Sequence, residues 1–410
     1  MNRPRVRRWW TCAALPIIAA GLAALGGGCA TDGGTAAAVR AEGPFAFWPP
    51  PPNEPRIQFL RSFRLSSDIE KPSSALDQLL FGSDAQPVPI TKPYGVAVWQ
   101  GRIYVCDISN PAVVILDLEA QQTRLMVTRG VEQMAQPTDI AIAPDGMKYV
   151  IDRRRGRIFV FDADDRHVAS LGDKGLQPVG IDVYGDELYV ADFATQSVLV
   201  LDRVRGEQRR TIGGPGGADG EFIRPLGVNV GGNGHVYVGD TIRGCVQQFD
   251  PSGAHVRTIG SIGDGPGSFV RPKHMAIDDG ILYVVDGAFQ NVQMFTTEGE
   301  LLMFFGGPGP FAGAMSLPAG VTVHGDNIER FEPWVHPAFE AQRLVVVSNQ
   351  FGPDKIAVYA FGGLREGFTV ADVAGLQAPE KAESEPEAAG NPEEGDEAVG
   401  PATPPAAAGR

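Results

Sequence analysis

The central part of the chain alternates short apolar segments with turns that are rich in glycine, aspartate and proline. Alternation with a period of two, interrupted often by turn residues, predicts many short strands and few helices. One unit recurs along this region. Each copy opens with proline and an apolar strand, passes through a Gly/Asp turn into a second strand that usually ends in aspartate, and adds further alternating strands. The copies begin at Pro93, Pro137, Pro178, Pro225, Pro272 and Pro318, which lie 41 to 47 residues apart.

A repeat of this length with about four short strands per copy is typical of propeller blades. The sequence therefore predicts an all-β fold, a six-bladed β-propeller that spans residues 56–365. The sixth copy has no fourth strand downstream, but Arg56–Phe63 alternates ahead of the first copy. We expect this N-terminal strand to complete the last blade, because closing the ring removes the free edge that an open array would expose.

The aspartates that end the second strands invite a catalytic interpretation, but their repetition favours a structural one. An aspartate at a strand end can accept hydrogen bonds from backbone N–H groups of the next loop, and so fix every blade in the same way. The sixth copy, read as Leu344–Ser348, lacks this aspartate. The five aspartates are Asp107, Asp152, Asp192, Asp240 and Asp286.

The Gly-rich links between copies carry a family resemblance. Gly213–Phe222 is followed by Arg224–Val228, and the arrangement nearly repeats as Gly263–Phe269 followed by Arg271 and Pro272. A Gly-rich run, then Phe, then Pro-x-Gly-Val resembles the NHL-repeat six-bladed β-propellers. The resemblance implies the fold and says little about function, because propellers host many functions.

The two ends of the chain differ in composition from the repeats. Residues 1–28 carry a basic start, an apolar run and small residues directly before Cys29, which together predict an export signal. The segment resembles a bacterial lipoprotein signal, which implies that Cys29 becomes the lipid-bearing N-terminus; the alternative is a plain signal peptide with an incidental cysteine. Residues 29–55 then form a Gly/Ala/Pro-rich tether, and the acidic, Ala/Pro/Glu-rich residues 366–410 form a disordered tail.

This interpretation predicts where the protein is located and which classes of partner it can bind. An exported protein with a lipid anchor is expected at the membrane of the bacterial cell envelope, and Ala30 after the cysteine resembles the outer-membrane sorting pattern. The formal net charge of −14 makes nucleic acid an unexpected partner. The second copy nevertheless contains a basic loop, which is either a patch for an acidic partner or lipid headgroup, or a solvated loop. Its residues are Arg153, Arg154, Arg155 and Arg157.

The strand openings differ between copies at one position. Four copies have glycine two residues after the proline, whereas the second has Asp139, preceded by Thr138, and the fifth has His274, preceded by Lys273. Because these copies are three apart in a ring of six, the two side chains should face each other at the mouth of the central channel. They could hold zinc or calcium, act as base and acid, or form a polar mouth that holds water.

Related propellers define the enzyme alternative. By resemblance to amidating lyases and lactonases, in which channel residues bind a catalytic metal, Asp139 and His274 imply a metal-dependent lyase or lactonase. A catalytic zinc takes three protein ligands, and this register supplies two on opposite walls. We therefore expect no cofactor.

The sixth copy contains an insert, His324–Arg343, with more aromatic side chains than a turn needs. Long ordered loops are usually functional, so these side chains are either contact anchors for a partner or fold back onto the propeller. With Ser348–Pro353, the insert resembles a subgroup of bacterial NHL lipoproteins, some associated with multihaem cytochromes or surface export systems. The resemblance implies other envelope proteins as partners. The candidate contact residues are Phe331, Trp334, His336 and Phe339.

The sequence as a whole favours a monomeric, non-enzymatic binding or assembly module that recognises a protein or ligand through its propeller loops. The metal-dependent lyase or lactonase is the alternative. Cys106 and Cys245 fall in opposite blades, where their separation should exceed the disulfide limit, so we expect them to be buried as small apolar residues.

Overall fold

Six antiparallel sheets contain nearly all of the regular structure, as the repeat predicted. The computed structural model describes residues 45–70, 88–128, 133–172 and 175–374, which all belong to one unit of the chain, residues 40–410. Five sheets have four strands, and the sixth has five. The predicted all-β, six-bladed β-propeller is thereby confirmed.

The strands follow the copies of the repeat closely. Two strands, β1 (Phe47–Trp48) and β2 (Ile57–Phe63), precede the first blade. Blade 1 contains β3 (Pro93–Trp99), β4 (Arg102–Asp107), β5 (Val113–Asp117) and β6 (Gln122–Met126). Blade 2 contains β7 (Pro137–Ile142), β8 (Lys148–Asp152), β9 (Arg157–Phe161) and β10 (His167–Leu171). Blade 3 contains β11 (Pro178–Tyr184), β12 (Glu187–Asp192), β13 (Ser197–Asp202) and β14 (Gln208–Ile212).

The second half of the ring repeats this order. Blade 4 contains β15 (Pro225–Val230), β16 (Val236–Asp240), β17 (Cys245–Phe249) and β18 (His255–Ile259). Blade 5 contains β19 (Pro272–Asp278), β20 (Ile281–Asp286), β21 (Asn291–Thr296) and β22 (Leu301–Gly306). Blade 6 contains β23 (Pro318–His324), β24 (Phe339–Asn349) and β25 (Ile356–Leu364), joined by β1 and β2. Short 3-10 turns occupy Ser66–Asp68, Ile328–Arg330 and Glu332–Trp334, and one helix, α1, covers Val370–Ala374.

The ring closes through the N-terminal strand. β2 pairs antiparallel with β25, from Ile57 opposite Phe361 to Phe63 opposite Ile356. The first strand of each blade packs against the first strands of both neighbours, and the series returns from β23 to β3. Six buried apolar clusters lie between neighbouring blades, so each blade buries both of its faces. Apolar burial of this kind is the main force that holds a repeat array together.

The closing sheet extends beyond the boundaries that the sequence suggested. β1 lies in the expected tether, 29–55, yet it pairs with β2, and Phe47 packs against Phe339 of the sixth blade. At the other end, α1 lies in the segment 366–410 that we expected to be disordered, and it buries Val373. Ordered structure therefore begins before residue 56 and continues past 365. The predicted signal peptide, 1–28, lies outside the described residues, as do residues 29–44 of the predicted tether and 375–410 of the predicted tail.

The strand-end aspartates hold the loops as the repetition predicted. Asp240 accepts backbone N–H bonds from Ile223 and Arg224 in the link between blades, and from Ile242 and Arg243 in the following loop. The other four aspartates bind their own loops in the same manner. These carboxylates are consequently parts of the scaffold.

One detail of the repeat alignment is corrected by the strand register. Pro318 pairs with Asn349, just as Pro272 pairs with Asp286 in the preceding blade. The residue of blade 6 that replaces the aspartate is therefore Asn349 and not Ser348. Its Oδ1 accepts the N–H of Ser316 at 3.2 Å, so the loop-binding role is kept in part. Within the described ranges, no helix is long and apolar enough to cross a membrane.

Candidate functional site at the central channel

The first strands of the blades approach one another very closely around the axis. A side chain on Gly180 or Gly320 would collide with backbone carbonyl oxygens of the neighbouring blade. Glycine at this position is therefore a packing requirement, because only a residue without a Cβ lets adjacent inner strands come this near. The channel is narrow as a result.

The two copies that depart from glycine meet in the middle of this channel. His274 Nε2 lies 3.3 Å from Asp139 Oδ2, although the residues belong to blades 5 and 2. Asp139 also accepts the N–H of Ile140 at 2.9 Å and the N–H of Ile181 at 3.1 Å. Asp139 is 1% and His274 9% exposed. The sequence predicted that these side chains face each other; the structure brings them into direct contact, as a plug across the axis.

A third ionisable group, Asp182, lies near this pair. Burial raises the pKa of Asp182 to about 6, although N–H bonds from Val230 and Val183 favour its charged form. Burial alone would lower the pKa of His274, but the negative charges of Asp139 and Asp182 outweigh it and raise that pKa above its ordinary value. The plug therefore favours a protonated imidazole between two carboxyl groups.

These residues do not fit a catalytic metal centre. In the part of the chain that the structure describes, no three His, Cys, Asp or Glu side chains come together in a way that could hold a metal ion. Of the two candidate ligands, the imidazole already bonds the carboxylate, and both carboxylate oxygens receive backbone N–H groups. A zinc site needs three ligands around one open position. The geometry gives the zinc or calcium alternative no support.

The residue that directly precedes the glycine position of the inner strand differs between the six copies. These residues occupy the second position of each inner strand, and we call them the mouth ring: Tyr94, Thr138, Val179, Leu226, Lys273 and Ala319. Thr138 donates its hydroxyl to the carbonyl of Gln136 at 3.2 Å. Lys273 is buried, and its Nζ lies 5.9 Å from the centre of the Tyr94 ring. Thr138 and Lys273, both predicted as channel-mouth residues, are thus on the mouth ring.

Basic side chains stand around the mouth ring. Burial raises the pKa of Tyr94 to about 12, and the guanidinium groups of Arg153 and Arg224 act in the opposite direction. For Lys273, burial and the nearby charges of Arg271 and Lys92 all lower the pKa, which falls to about 8. Four cations from four different blade links or loops therefore contribute positive electrostatic potential at the mouth ring. They are Lys92, Arg153, Arg224 and Arg271.

The basic loop of blade 2 contributes unequally to this surface. Arg153, Arg154 and Arg155 are exposed, and the Nε of Arg155 donates to the carbonyl of Gln133 at 3.0 Å. Arg157 is half-buried and donates to the carbonyl of Gly172. Of the four arginines, Arg153 is the one whose charge reaches the mouth ring.

The insert of blade 6 folds back onto the propeller. Phe331, His336 and Phe339 are buried, and Trp334 is half-buried. The side-chain amide of Gln58 in β2 donates to the carbonyl of Trp334 at 2.8 Å and accepts the N–H of His336 at 3.0 Å. Of the two expectations for these aromatic residues, the structure favours folding back. They cover the junction between the N-terminal strand and blade 6, which leaves them unavailable as contact anchors.

The cysteines are the remaining candidate residues. Cys106 and Cys245 are free and buried, and burial raises the pKa of both thiols. They are neither bridged nor reactive. Cys29, the predicted lipidation site, lies outside the described residues.

Sequence reasoning missed two residues of the site. Asp182 is the fourth residue after the proline of copy three, where other copies have Ala97, Ala141 or Ala276. Tyr94 is the bulkiest member of the mouth ring. Both would have emerged from a comparison of every inner-strand position between copies, and not of the glycine position alone.

The fold defines the class of this protein, an all-β six-bladed β-propeller. A family model described as a 6-bladed beta-propeller (DUF5128) matches residues 231–302, which is a minor part of the chain. A solved structure of a Bacteroides thetaiotaomicron protein of unknown function is 14% identical with a TM-score of 0.51, over 74% of this chain and 75% of that one. At this identity the likeness concerns the fold.

Two further solved structures have lower TM-scores. Virginiamycin B lyase from Staphylococcus aureus is 13% identical with a TM-score of 0.46, over 66% of this chain and 95% of that one. Hydrazine synthase from Kuenenia stuttgartiensis is 15% identical with a TM-score of 0.44, over 68% and 97% of the respective chains. Propellers host unrelated functions, so neither likeness transfers an activity.

Proposed function

We propose that this protein is a non-enzymatic binding module whose ligand surface is the mouth face. The mouth face comprises the links between blades and the loops between the second and third strands of each blade. The observation that carries the proposal is the plug: Asp139 and His274 meet at 3.3 Å across the axis. Both carboxylate oxygens of Asp139 and the Nε2 of His274 are used within the scaffold, and cations surround the mouth ring. Such an arrangement suits recognition on a rigid disc.

The mouth face also carries exposed aromatic side chains. Phe351 is 54% exposed and lies under the ammonium group of Lys92 at 5.7 Å. Phe193 is exposed as well, and the guanidinium of Arg224 stacks on it at 5.6 Å. Aromatic and arginine side chains are the residues that most often dominate binding energy. Their presence beside the mouth ring supports this face as the contact surface.

The surface can be tested by photo-crosslinking in the producing cell. A benzophenone amino acid placed at Phe351 should form adducts, whereas the same probe at Phe304 should not. Phe304 is the matched control, because it is 51% exposed but lies in the outer strand β22. Adducts at Phe304 alone, or no adducts at Phe351, would overturn the assignment of this face. Recovery of a chemically altered ligand that requires Asp139 and His274 would overturn the non-enzymatic role.

We further propose that the propeller is of the NHL type and is exported and held at the envelope by a lipid on Cys29, with other envelope proteins as partners. The support is the sequence pattern around the cysteine and the Gly-rich links. Intact-mass measurement of the mature protein should give an N-terminal cysteine carrying acyl chains. Cys29→Ser protein that still incorporates palmitate and sediments with membranes would disprove the anchor.

A further inference from the structure

Lys273 is a buried lysine whose ammonium group forms no ion pair with a described residue. It is the second residue of β19 and is 6% exposed. Among the described residues, its Nζ has no carboxylate or carbonyl oxygen at hydrogen-bonding distance and faces the Tyr94 ring at 5.9 Å. Lys148, the other buried lysine, is different: it bonds three carbonyl oxygens and Asp165. A buried ammonium is normally satisfied in the second way.

The charges around Lys273 increase its need for an anion. Arg271 and Lys92 both lower its pKa, and Asp286 is the carboxylate that opposes them. Asp286 is already used, because its two oxygens accept four backbone N–H groups of the neighbouring loops. Asp286 keeps its charge while it binds these groups, so it reduces the positive potential around Lys273 without hydrogen-bonding the ammonium group.

The fold makes room for this side chain. A Cβ on Gly287 would lie 2.5 Å from Lys273 Cε and 3.0 Å from Nζ. The loop between β20 and β21 thus passes over the lysine stem with a residue that has no side chain. The hydroxyl of Tyr94 makes no hydrogen bond within the described ranges, so it is a second polar group on the mouth ring that can donate to a ligand.

We propose that the mouth ring binds a small oxyanion, a carboxylate or phosphate group, that accepts hydrogen bonds from Lys273 and Tyr94. The proposal rests on the proposed function, since it names the ligand chemistry of the mouth face. Arg224, Arg271 and Lys92 supply the surrounding positive field.

Isothermal titration calorimetry at constant ionic strength tests this. Inorganic phosphate forms one arm and citrate and succinate the other, with chloride as the background anion. We expect saturable binding of a member of one arm, weakened at least tenfold by Lys273→Met and several-fold by Tyr94→Phe. Arg154→Met is the matched control, because it removes one exposed charge from the same face without touching the mouth ring, and it should change affinity less than twofold.

The outcomes separate this inference from the proposed function. Equal losses in Lys273→Met and Arg154→Met, or no saturable binding of either anion class by the wild type, would overturn the oxyanion site. If Phe351 crosslinks persist in that case, the mouth face remains a binding surface for another chemistry. Saturable anion binding that needs Lys273, together with no crosslinks at Phe351, would leave the anion site standing and refute the wider surface.

Discussion

Replacing Lys273 with methionine should make the ligand-free protein more stable. The ammonium of the buried Lys273 forms no ion pair or hydrogen bond with a described residue, and methionine matches the length of its stem without the charge. This is an unusual expectation for a buried position, since most core substitutions destabilise. The expectation follows from the lack of a bonding partner for the Lys273 ammonium group.

The magnitude can be taken from the pKa of Lys273. Burial and the nearby cations lower it from 10.5 to about 8. At about 1.4 kcal/mol per pKa unit, the folded state disfavours the charged form by about 3 kcal/mol. Below pH 8 the lysine is charged in both states, so the full cost applies at pH 7. We expect Lys273→Met to gain about 2–3 kcal/mol after small changes in packing.

Lys148→Met is the control with the opposite sign. Lys148 is 0% exposed, lies 2.9 Å from Asp165 and donates to the carbonyls of Gly146, Asp162 and Ala163. Its removal takes one donor from each of three carbonyl oxygens and removes the ammonium group that pairs with the buried Asp165 side chain. We expect a loss of about 3 kcal/mol. Two buried lysines in one fold should therefore respond oppositely to the same substitution.

Urea unfolding followed by tryptophan fluorescence measures both effects. Because the folded state binds fewer protons at Lys273 than the unfolded state between pH 8 and 10.5, wild-type stability should rise over that interval relative to Lys273→Met. The advantage of the variant should be full at pH 7 and nearly gone at pH 10. A variant no more stable than the wild type at pH 7, or an advantage that does not shrink with rising pH, would refute the reasoning.

Three further predictions concern the plug, the scaffold and the insert. Between pH 7.5 and 5.5 the wild type should become more stable, because the folded-state pKa values of Asp182 (about 6) and His274 are both raised; this contribution is present at low pH and lost as pH rises. The thermal midpoint of Asp182→Asn/His274→Gln should respond less to pH, and an equal response would count against the plug. Asp240→Ala should cost about 3–4 kcal/mol in urea unfolding, since several buried N–H groups lose their acceptor, whereas exposed Asp264→Ala should stay within about 0.5 kcal/mol; similar losses would contradict the structural role. Gln58→Leu should speed hydrogen exchange over residues 328–338, with exposed Gln342→Leu as control; unchanged exchange would show that the amide does not hold the insert.

The repeat made the fold predictable because a proline marks the start of each copy. All six inner strands start at the proline that opens the copy, from Pro93 to Pro318. β1 could not be predicted, because a strand of two residues shows no alternation and depends on a contact that is distant in sequence, between Phe47 and Phe339. The Ser348 misalignment has a similar cause. β24 is an unbroken run of 11 residues, and only its pairing with Pro318 sets the register.

The sequence predicted which side chains of the candidate site face each other, but not the distance between them. Symmetry alone places Asp139 opposite His274, because their copies are half a ring apart. That they touch depends on how far the inner strands approach, which the glycines of the other copies decide. The isolation of Lys273 was beyond sequence reasoning for the same reason, since it depends on which oxygens the loops have already used. Those hydrogen bonds are a property of the folded ring.

The glycine position also explains why the two departures occur where they do. A Cβ on Gly95 would overlap the carboxylate of Asp139 in the next blade, and a Cβ on Gly227 would lie 3.1 Å from His274 Cα. Each side chain in the channel therefore uses space that the preceding copy leaves open by having glycine. At the other positions the collision is with backbone, because a Cβ on Gly180 or Gly320 would meet the carbonyl oxygen of Leu226 or Tyr94. The two departures lie three copies apart, so Asp139 and His274 meet as an acid and a base, and each reduces the cost of burying the other.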